Sequence, residues 1–138
     1  MNDSVTKTTK TYFEIQLDRL FKEHYLPEHY YVQVRQSKSF MEKYLSDKIE
    51  LEKIASTAFM SRFHYTRIFK KVYGLSPRKY LRDLRLNKGK ELLRQGLCIS
   101  QVCFDVGYDS LPTFYNAFKK ATGYSPKEYQ TLNKSNLE

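Results

Sequence analysis

The 138-residue chain is predicted to have an all-α fold in which two helix-turn-helix units are joined by a linker helix. Five glycines and four prolines are few for a β-fold with many turns, and long stretches are rich in leucine, lysine, arginine and glutamate. One set of helix-boundary residues occurs twice, and a short apolar helical segment precedes each copy. The length suits a single domain that holds both units.

The N-terminal part predicts a tail and a helical extension. Residues 1–11 are polar and predict a mobile tail. Apolar residues then recur at helical spacing, namely Phe13, Leu17, Leu20 and Phe21. They predict an amphipathic helix over about residues 11–24, the first part of an extension over residues 12–36. Pro27 lies where a following helix can begin, and the helical pattern continues to about Ser46.

An internal repeat is the strongest signal in the sequence. Residues 69–80 read FKKVYGLSPRKY and residues 118–129 read FKKATGYSPKEY, so that seven of the twelve positions are identical. Each copy describes a helix that ends at glycine, followed by a serine cap and a proline in the first turn of the next helix. The repeat therefore predicts the same pair of helix boundaries twice.

The segments before the repeats complete two helix-turn-helix units. Residues 51–58 and 99–106 are matching short apolar helices, and Ser61 and Ser110 are placed to cap the helix after each turn. A short helix, a tight turn and a capped second helix form a helix-turn-helix. Between the units, residues 77–96 predict a linker helix with a buried stripe. The stripe consists of Tyr80, Leu81, Leu84, Leu92 and Leu93.

These signals divide the chain into six predicted segments. They are a tail (1–11), a helical extension (12–36), a first helix-turn-helix subdomain (37–76), the linker helix (77–96), a second helix-turn-helix subdomain (97–131) and a tail (132–138).

The positive charge is concentrated in one segment. The formal net charge is +9, and residues 62–94 carry eleven lysines and arginines against one aspartate and one glutamate. Elsewhere the charges cancel. A basic segment of this kind attracts a polyanion, because neutralised phosphates release condensed counterions. The alternative is a solvated face on a basic protein.

Other classes of function receive little support. The three histidines have no metal-ligand spacing, and there is no nucleophile motif or glycine-rich phosphate loop, so we expect no enzyme, no metal and no cofactor. Cys98 and Cys103 lack the spacing of a zinc or redox pair. No apolar segment has the length of a membrane span or the form of a signal peptide, which predicts an intracellular chain without a membrane partner.

A set of residues in fixed order extends through both units. In the first unit and the linker they are Ile54-Ala55, Ser61, Arg67, Phe69-Lys70-Lys71, Gly74, Ser76-Pro77, Tyr80-Leu81, Arg85-Leu86 and Leu92-Leu93. In the second they are Val106-Gly107-Tyr108, Ser110, Phe118-Lys119-Lys120, Gly123, Ser125-Pro126 and Tyr129. Through these positions, residues 37–130 resemble the DNA-binding domain of the AraC/XylS family of bacterial transcription regulators.

The resemblance implies a fold of about seven helices and sequence-specific binding to double-stranded DNA, with two recognition helices in successive major-groove faces. The 36 residues before it are too few for a sugar-binding barrel, so a complete chain of this length resembles the small stand-alone members. Such a regulator is expected in the cytoplasm, in association with the bacterial nucleoid. The linker helix, about 28 Å long, separates the units by a distance comparable with one DNA turn of about 34–36 Å.

Three features depart from the family pattern. Phe59 occupies a turn position that is usually glycine, which predicts a reshaped turn or a packing role for the ring. Gly89 lies in the linker helix where alanine is usual, at a cost of up to ~1 kcal/mol. Leu111 and Pro112 replace polar residues at the start of the second recognition helix.

The candidate DNA-contacting residues of the first unit lie opposite its buried face. They are Arg62, Phe63, Thr66, Arg67, Lys70 and Lys71. Arg67 suits a bidentate contact with guanine, while Thr66 and Phe63 suit thymine methyl groups; the alternative for Phe63 is ordinary packing. Lys70, Lys71 and Arg62 suit phosphates, which position the protein without reading sequence.

The candidates of the second unit are Thr113, Tyr115, Asn116 and Lys119. Asn116 has the donor and acceptor pair that matches adenine, and its alternative is a solvated polar side chain. The arginines of the linker can reach the DNA backbone, but Arg85 is not expected among the contacts, because its alternative is a structural, ion-pairing role.

A rival interpretation keeps the same fold for a different partner. In it the chain is a protein-interaction module that binds RNA polymerase or a partner regulator, which the apolar second recognition face favours. For the DNA-binding interpretation we expect a monomer on DNA, because one chain holds both readers, with a dimer through the N-terminal helix as the alternative.

Overall fold

The computed structural model describes residues 11, 12, 15 and 26–137, with side chains as far as residue 134. This part of the chain contains seven α-helices and no β-strand, as predicted. In chain order they are α1 (Glu28–Lys43), α2 (Leu51–Thr57), α3 (Arg62–Tyr73), α4 (Pro77–Arg94), α5 (Ile99–Asp105), α6 (Leu111–Thr122) and α7 (Pro126–Leu137). Residues 1–10 of the predicted tail and all but three residues of the predicted amphipathic helix lie outside the described residues.

The first unit consists of α1, α2 and α3 around one hydrophobic core. Its buried residues are Leu26, Val34, Met41, Ile54, Ala55, Ala58, Tyr65, Ile68 and Phe69, joined by Leu81 of α4. The Tyr65 hydroxyl donates a hydrogen bond of 2.8 Å to the Ser37 hydroxyl, which in turn donates to the Val34 carbonyl at 2.6 Å. These bonds satisfy the buried polar atoms, and burial raises the pKa of Tyr65 to about 12.

Helices α1 and α7 extend across two of the predicted segment boundaries. The boundary after residue 36 falls inside α1, and Leu26 and Val34 already belong to the first core. We therefore place the start of the first unit at Leu26. Helix α7 continues to Leu137, past residue 132, where the sequence predicts the C-terminal tail to begin. Helix α1 ends at Lys43, whereas the sequence pattern predicts that it continues to about Ser46.

The second unit consists of α5, α6 and α7 around a separate core. Its buried residues are Val102, Cys103, Val106, Phe114 and Phe118, joined by Leu86 and Leu93 of α4. Helix α4 therefore packs against both units, with Leu81 in one core and Leu86 in the other. The single predicted stripe omitted Leu86, because a helix shared by two cores needs apolar residues on more than one face. A methyl group added at Gly89 would lie 3.4 Å from Cε1 of Phe114, so this glycine lies against the second core.

The predicted caps begin the helices that follow the turns. Ser61, Ser76 and Ser110 each accept a hydrogen bond from the backbone N–H three residues later, at 3.3, 3.2 and 3.4 Å. Helices α3 and α6 end at Gly74 and Gly123, both in the left-handed region. The cap prediction is confirmed in both units, because these signals act within one helical turn.

The turn at Phe59 has the same form as its counterpart at Gly107. The N–H groups of Phe59 and Met60 donate to Ser56 and Ala55, at 3.0 and 3.1 Å. In the second unit, Gly107 and Tyr108 make the corresponding bonds to Phe104 and Cys103, both at 3.1 Å. Phe59 has a φ of 57° and its residue is 80% exposed. The expectation of a reshaped turn or a packing anchor is therefore wrong.

Phe59→Gly is expected to raise the free energy of unfolding by about 1 kcal/mol. The left-handed conformation costs an L-residue roughly 1–2 kcal/mol, and the greater freedom of glycine in the unfolded chain offsets part of the gain. Urea denaturation measures the change. Phe63→Ala is the control, because Phe63 is similarly exposed (79%) but lies in a helix and has no left-handed backbone. Its free energy of unfolding should show no comparable gain. A Phe59→Gly protein no more stable than the wild type contradicts the strain argument.

Candidate nucleic-acid interface

Helix α3 exposes the residues that the sequence predicts for contact. Its orientation is set by Tyr65, Ile68 and Phe69, which are buried in the first core. The exposed side chains are Arg62, Phe63, Arg67, Lys70 and Lys71, and Thr66 is partly buried. The surface of α3 thus combines four cations with one exposed aromatic ring.

Hydrogen bonds restrain three of these side chains. A nitrogen of the Arg67 guanidinium (Nη2) donates to Nδ1 of His64 at 3.3 Å, one turn earlier on the same helix. Arg62 donates to the Glu52 carboxylate at 3.0 Å, and its guanidinium lies 5.0 Å from the centre of the Phe63 ring. The Thr66 hydroxyl donates to the Arg62 carbonyl at 2.8 Å. Glu52 therefore reduces the charge that Arg62 offers, which the sequence pattern did not indicate.

Lys70 and Lys71 differ from Arg62 and Arg67 in their lack of bonding partners. Within the described part of the chain, neither ammonium group has an ion-pair or hydrogen-bond partner. Both lie in the last turn of α3 and are exposed. An unpaired, exposed ammonium group keeps its full charge for an anion.

Helix α6 presents a more apolar surface than α3. Phe114 and Phe118 are buried in the second core. The exposed residues are Leu111, Pro112, Thr113, Tyr115, Asn116, Lys119, Lys120 and Ala121. Leu111, Pro112 and Tyr115 line a shallow apolar groove together with Ile99 and Pro126. The apolar start of this helix therefore forms one continuous surface.

The polar residues of α6 are few. The Thr113 hydroxyl shares a hydrogen bond of 2.8 Å with the hydroxyl of the cap Ser110. The Lys119 ammonium lies 5.9 Å from the centre of the Tyr115 ring. The Asn116 amide is exposed, and no residue in the described ranges is hydrogen-bonded to it. Among the described residues Asn116 therefore has no partner for its amide donor and acceptor, and it lies beside the apolar Leu111, Pro112 and Tyr115.

Most basic side chains of residues 62–94 lie at the surface. Nine of the eleven basic side chains in residues 62–94 are exposed, and only Arg85 and Lys90 are partly buried. They extend from α3 along α4. Three of the nine, Arg62, Arg82 and Lys88, form salt bridges, and the other six have none within the described residues, so that their charge is available to an extended polyanion.

Arg85 has the structural role expected of it, but its partners are carbonyl groups. Its Nε donates to the Leu45 carbonyl at 2.8 Å and its Nη2 donates to the Asp47 carbonyl at 2.9 Å. Burial lowers the pKa of the guanidinium, while the nearby Tyr108 and Asp109 act in the opposite direction. The predicted ion pair is thus replaced by two backbone bonds, with partners 40 and 38 residues away.

The described residues offer no cluster for a metal ion and no helix that could cross a membrane. They contain no group of three or more histidine, cysteine or acidic side chains able to hold a metal ion. None of their helices combines the length and the hydropathy that a membrane crossing requires.

Comparisons with known proteins agree with this geometry. A family described as a helix-turn-helix domain matches residues 54–131. The transcriptional regulator MtrA of Neisseria gonorrhoeae is 38% identical over 74 residues, which are 53% of this chain and 25% of that protein. The chain spans about a quarter to a third of the length of the curated relatives it matches.

Two solved structures resemble the chain over most of its length. The C-terminal domain of AraT, a response regulator from Geobacillus stearothermophilus, is 33% identical with a TM-score of 0.70, covering 72% of this chain and 84% of that one. A Chromobacterium violaceum transcriptional regulator, described by its AraC-type DNA-binding domain, is 28% identical with a TM-score of 0.68, covering 73% and 91%.

Proposed function

Because the chain belongs to the family of AraC-type helix-turn-helix domains, we propose that it is a transcription regulator whose α3 and α6 enter successive major-groove faces of double-stranded DNA. One observation carries the proposal. Both helices bury one face in their own core and expose the other, and the basic segment, which comprises α3 and α4, exposes nine cations. An exposed recognition helix next to a cationic surface is the arrangement that helix-turn-helix proteins use in the major groove.

The first unit supplies the stronger sequence reader. Arg67 is positioned by His64 and contacts guanine O6 and N7 with its remaining donors. Phe63 and the methyl group of Thr66 contact thymine methyl groups. Lys70 and Lys71 bind phosphates, whereas the pairing of Arg62 with Glu52 makes its phosphate contact weaker.

The second unit reads DNA mainly through apolar contact. Asn116 binds adenine through N6 and N7, and Tyr115, Leu111 and Pro112 contact thymine methyl groups. Lys119 binds a phosphate, and Thr113 contributes beside the cap of α6. The second unit therefore lengthens the DNA site more than it adds to the discrimination between base pairs.

One chain places both readers on an asymmetric site of roughly 20 base pairs, since two adjacent major-groove faces span about two turns. The protein accordingly binds as a monomer, with the dimer as the alternative. RNA polymerase is the protein partner that suits such a regulator. The rival function, a protein-interaction module without DNA binding, predicts no sequence selection at all.

Selection from a random duplex library, followed by a salt series, tests the proposal. We expect one enriched sequence and a footprint of roughly 20 base pairs. Phosphate contacts by Arg62, Lys70, Lys71 and Lys119 predict a log–log salt slope of about −4. A scrambled duplex of the same length is the control, and it should bind more weakly with a similar slope. No enrichment together with a flat salt response would support the rival, and a footprint of about five base pairs would exclude simultaneous docking.

A further inference from the structure

The two units touch at a junction outside their cores. It consists of the loop between α1 and α2, the Arg85 side chain of α4 and the turn between α5 and α6. Arg85 bonds the loop through the carbonyls of Leu45 and Asp47, at 2.8 and 2.9 Å. A planar guanidinium that donates to two carbonyls holds both in one fixed arrangement.

Gly107 brings the second unit against this loop. A Cβ at Gly107 would lie 2.7 Å from the Leu45 carbonyl oxygen and 2.9 Å from Nε of Arg85. The residue also has a φ of 97°, which disfavours any side chain. Lys48 and Asp109 form an ion pair of 3.2 Å across the same junction, but both are exposed and the pair contributes little. The loop, Arg85 and Gly107 are therefore in close contact across the two units.

The junction adds what the linker helix alone does not supply. The two cores share no buried residue, and α4 contributes different leucines to each. A helix fixes the distance between its ends, whereas the mutual rotation of the units depends on contacts between them. Adding or removing one base pair moves a half-site by about 3.4 Å and by about a tenth of a turn. A protein with rigidly oriented readers distinguishes such sites.

We propose that Arg85 and Gly107 are positioning residues, which orient α3 relative to α6 and thereby set the half-site spacing that the protein accepts. This inference rests on the proposed function. It gives Arg85 a task in DNA recognition although the residue contacts no DNA. It also explains why the turn of the second unit has glycine where the turn of the first tolerates Phe59.

A spacing series tests the proposal on DNA. The selected site is altered by inserting or deleting one base pair between its halves, and affinities are measured for the wild type and for Arg85→Ala. We expect each spacing change to weaken wild-type binding at least tenfold. Arg85→Ala should bind the original site about tenfold more weakly and all spacings within about threefold of one another, while its affinity for a single half-site changes less than twofold.

Arg82→Ala is the matched control, since it removes an exposed cation from the same helix without removing either Arg85 hydrogen bond. It should retain the wild-type spacing preference. Arg85→Lys keeps the charge but cannot hold both carbonyls in one plane, so its preference should be intermediate. The inference is overturned if Arg85→Ala prefers one spacing as strongly as the wild type does. It is also overturned if Arg85→Ala loses as much affinity for a single half-site as for the whole site.

A second measurement needs no DNA. Residual dipolar couplings of the free wild-type protein should fit one alignment tensor for both units, whereas Arg85→Ala and Gly107→Ala should need two. One tensor in all three proteins would overturn the inference. The two proposals can fail separately. If the variants need two tensors but the wild type selects no DNA sequence, the role of the junction in orienting the units stands and the proposed function is rejected. Circular dichroism identifies any variant that does not fold, and Arg85→Lys then replaces it in both measurements.

Discussion

Phe118→Ala is expected to destabilise the second unit by about 3–5 kcal/mol, the usual cost of removing a large buried aromatic ring. Phe118 is fully buried, and its ring centre lies 5.7 Å from that of Phe114 and 5.3 Å from that of Tyr129. The substitution removes these ring contacts and leaves a cavity. Because the first core contains no residue of the second, we expect the first unit to remain folded.

The repeat provides the matched variant for this experiment. Phe69 occupies the equivalent position, fully buried among Tyr65, Tyr73 and Tyr80. Amide hydrogen exchange should show lost protection in α6 and α7 for Phe118→Ala, and in α1 and α3 for Phe69→Ala. Uniform loss of protection in either variant would mean that the two cores unfold as one cooperative body.

Arg67→Ala is expected to cost about 1–3 kcal/mol in binding to the selected site and to relax preference at one base pair. The side chain is exposed, and a single bond to His64 leaves most of its donors available. Asn116→Ala should have a smaller effect on preference, since Asn116 lies behind the apolar entry of α6. Binding to every single-base variant of the site measures both effects.

Lys71→Ala is the control for lost charge. Lys71 has no partner in the described ranges, so its removal should weaken all duplexes alike and reduce the salt slope by about one. Abolished specificity in Asn116→Ala, with specificity intact in Arg67→Ala, would reverse the assignment of the dominant reader.

Local signals made most of the fold predictable. The caps at Ser61, Ser76 and Ser110 act on a backbone group three residues later, so the sequence pattern contains the whole interaction. The repeat then extended each local prediction to a second unit. The exposed faces of α3 and α6 followed from the same helical periodicity, because the buried positions of a helix define the opposite face.

What the sequence pattern missed depends on distant partners. Arg62 is paired with Glu52, and Arg85 reaches carbonyls about forty residues away; helical spacing indicates neither contact. Leu86 was omitted because nothing local shows that α4 serves two cores. Phe59 was misjudged, since an apolar residue in a turn suggests burial until the left-handed backbone and the open surroundings are seen.

The division into two cores also bears on how the chain folds during its synthesis. The buried residues of the first core end at Leu81, and those of the second begin at Leu86, so each core is built from one continuous stretch of chain. The N-terminal core can therefore close while the C-terminal helices are still inside the ribosome, as domains that fold unit by unit do. Helix α3, with Arg67 on its surface, is then the first of the two readers to reach its final form on the nascent chain.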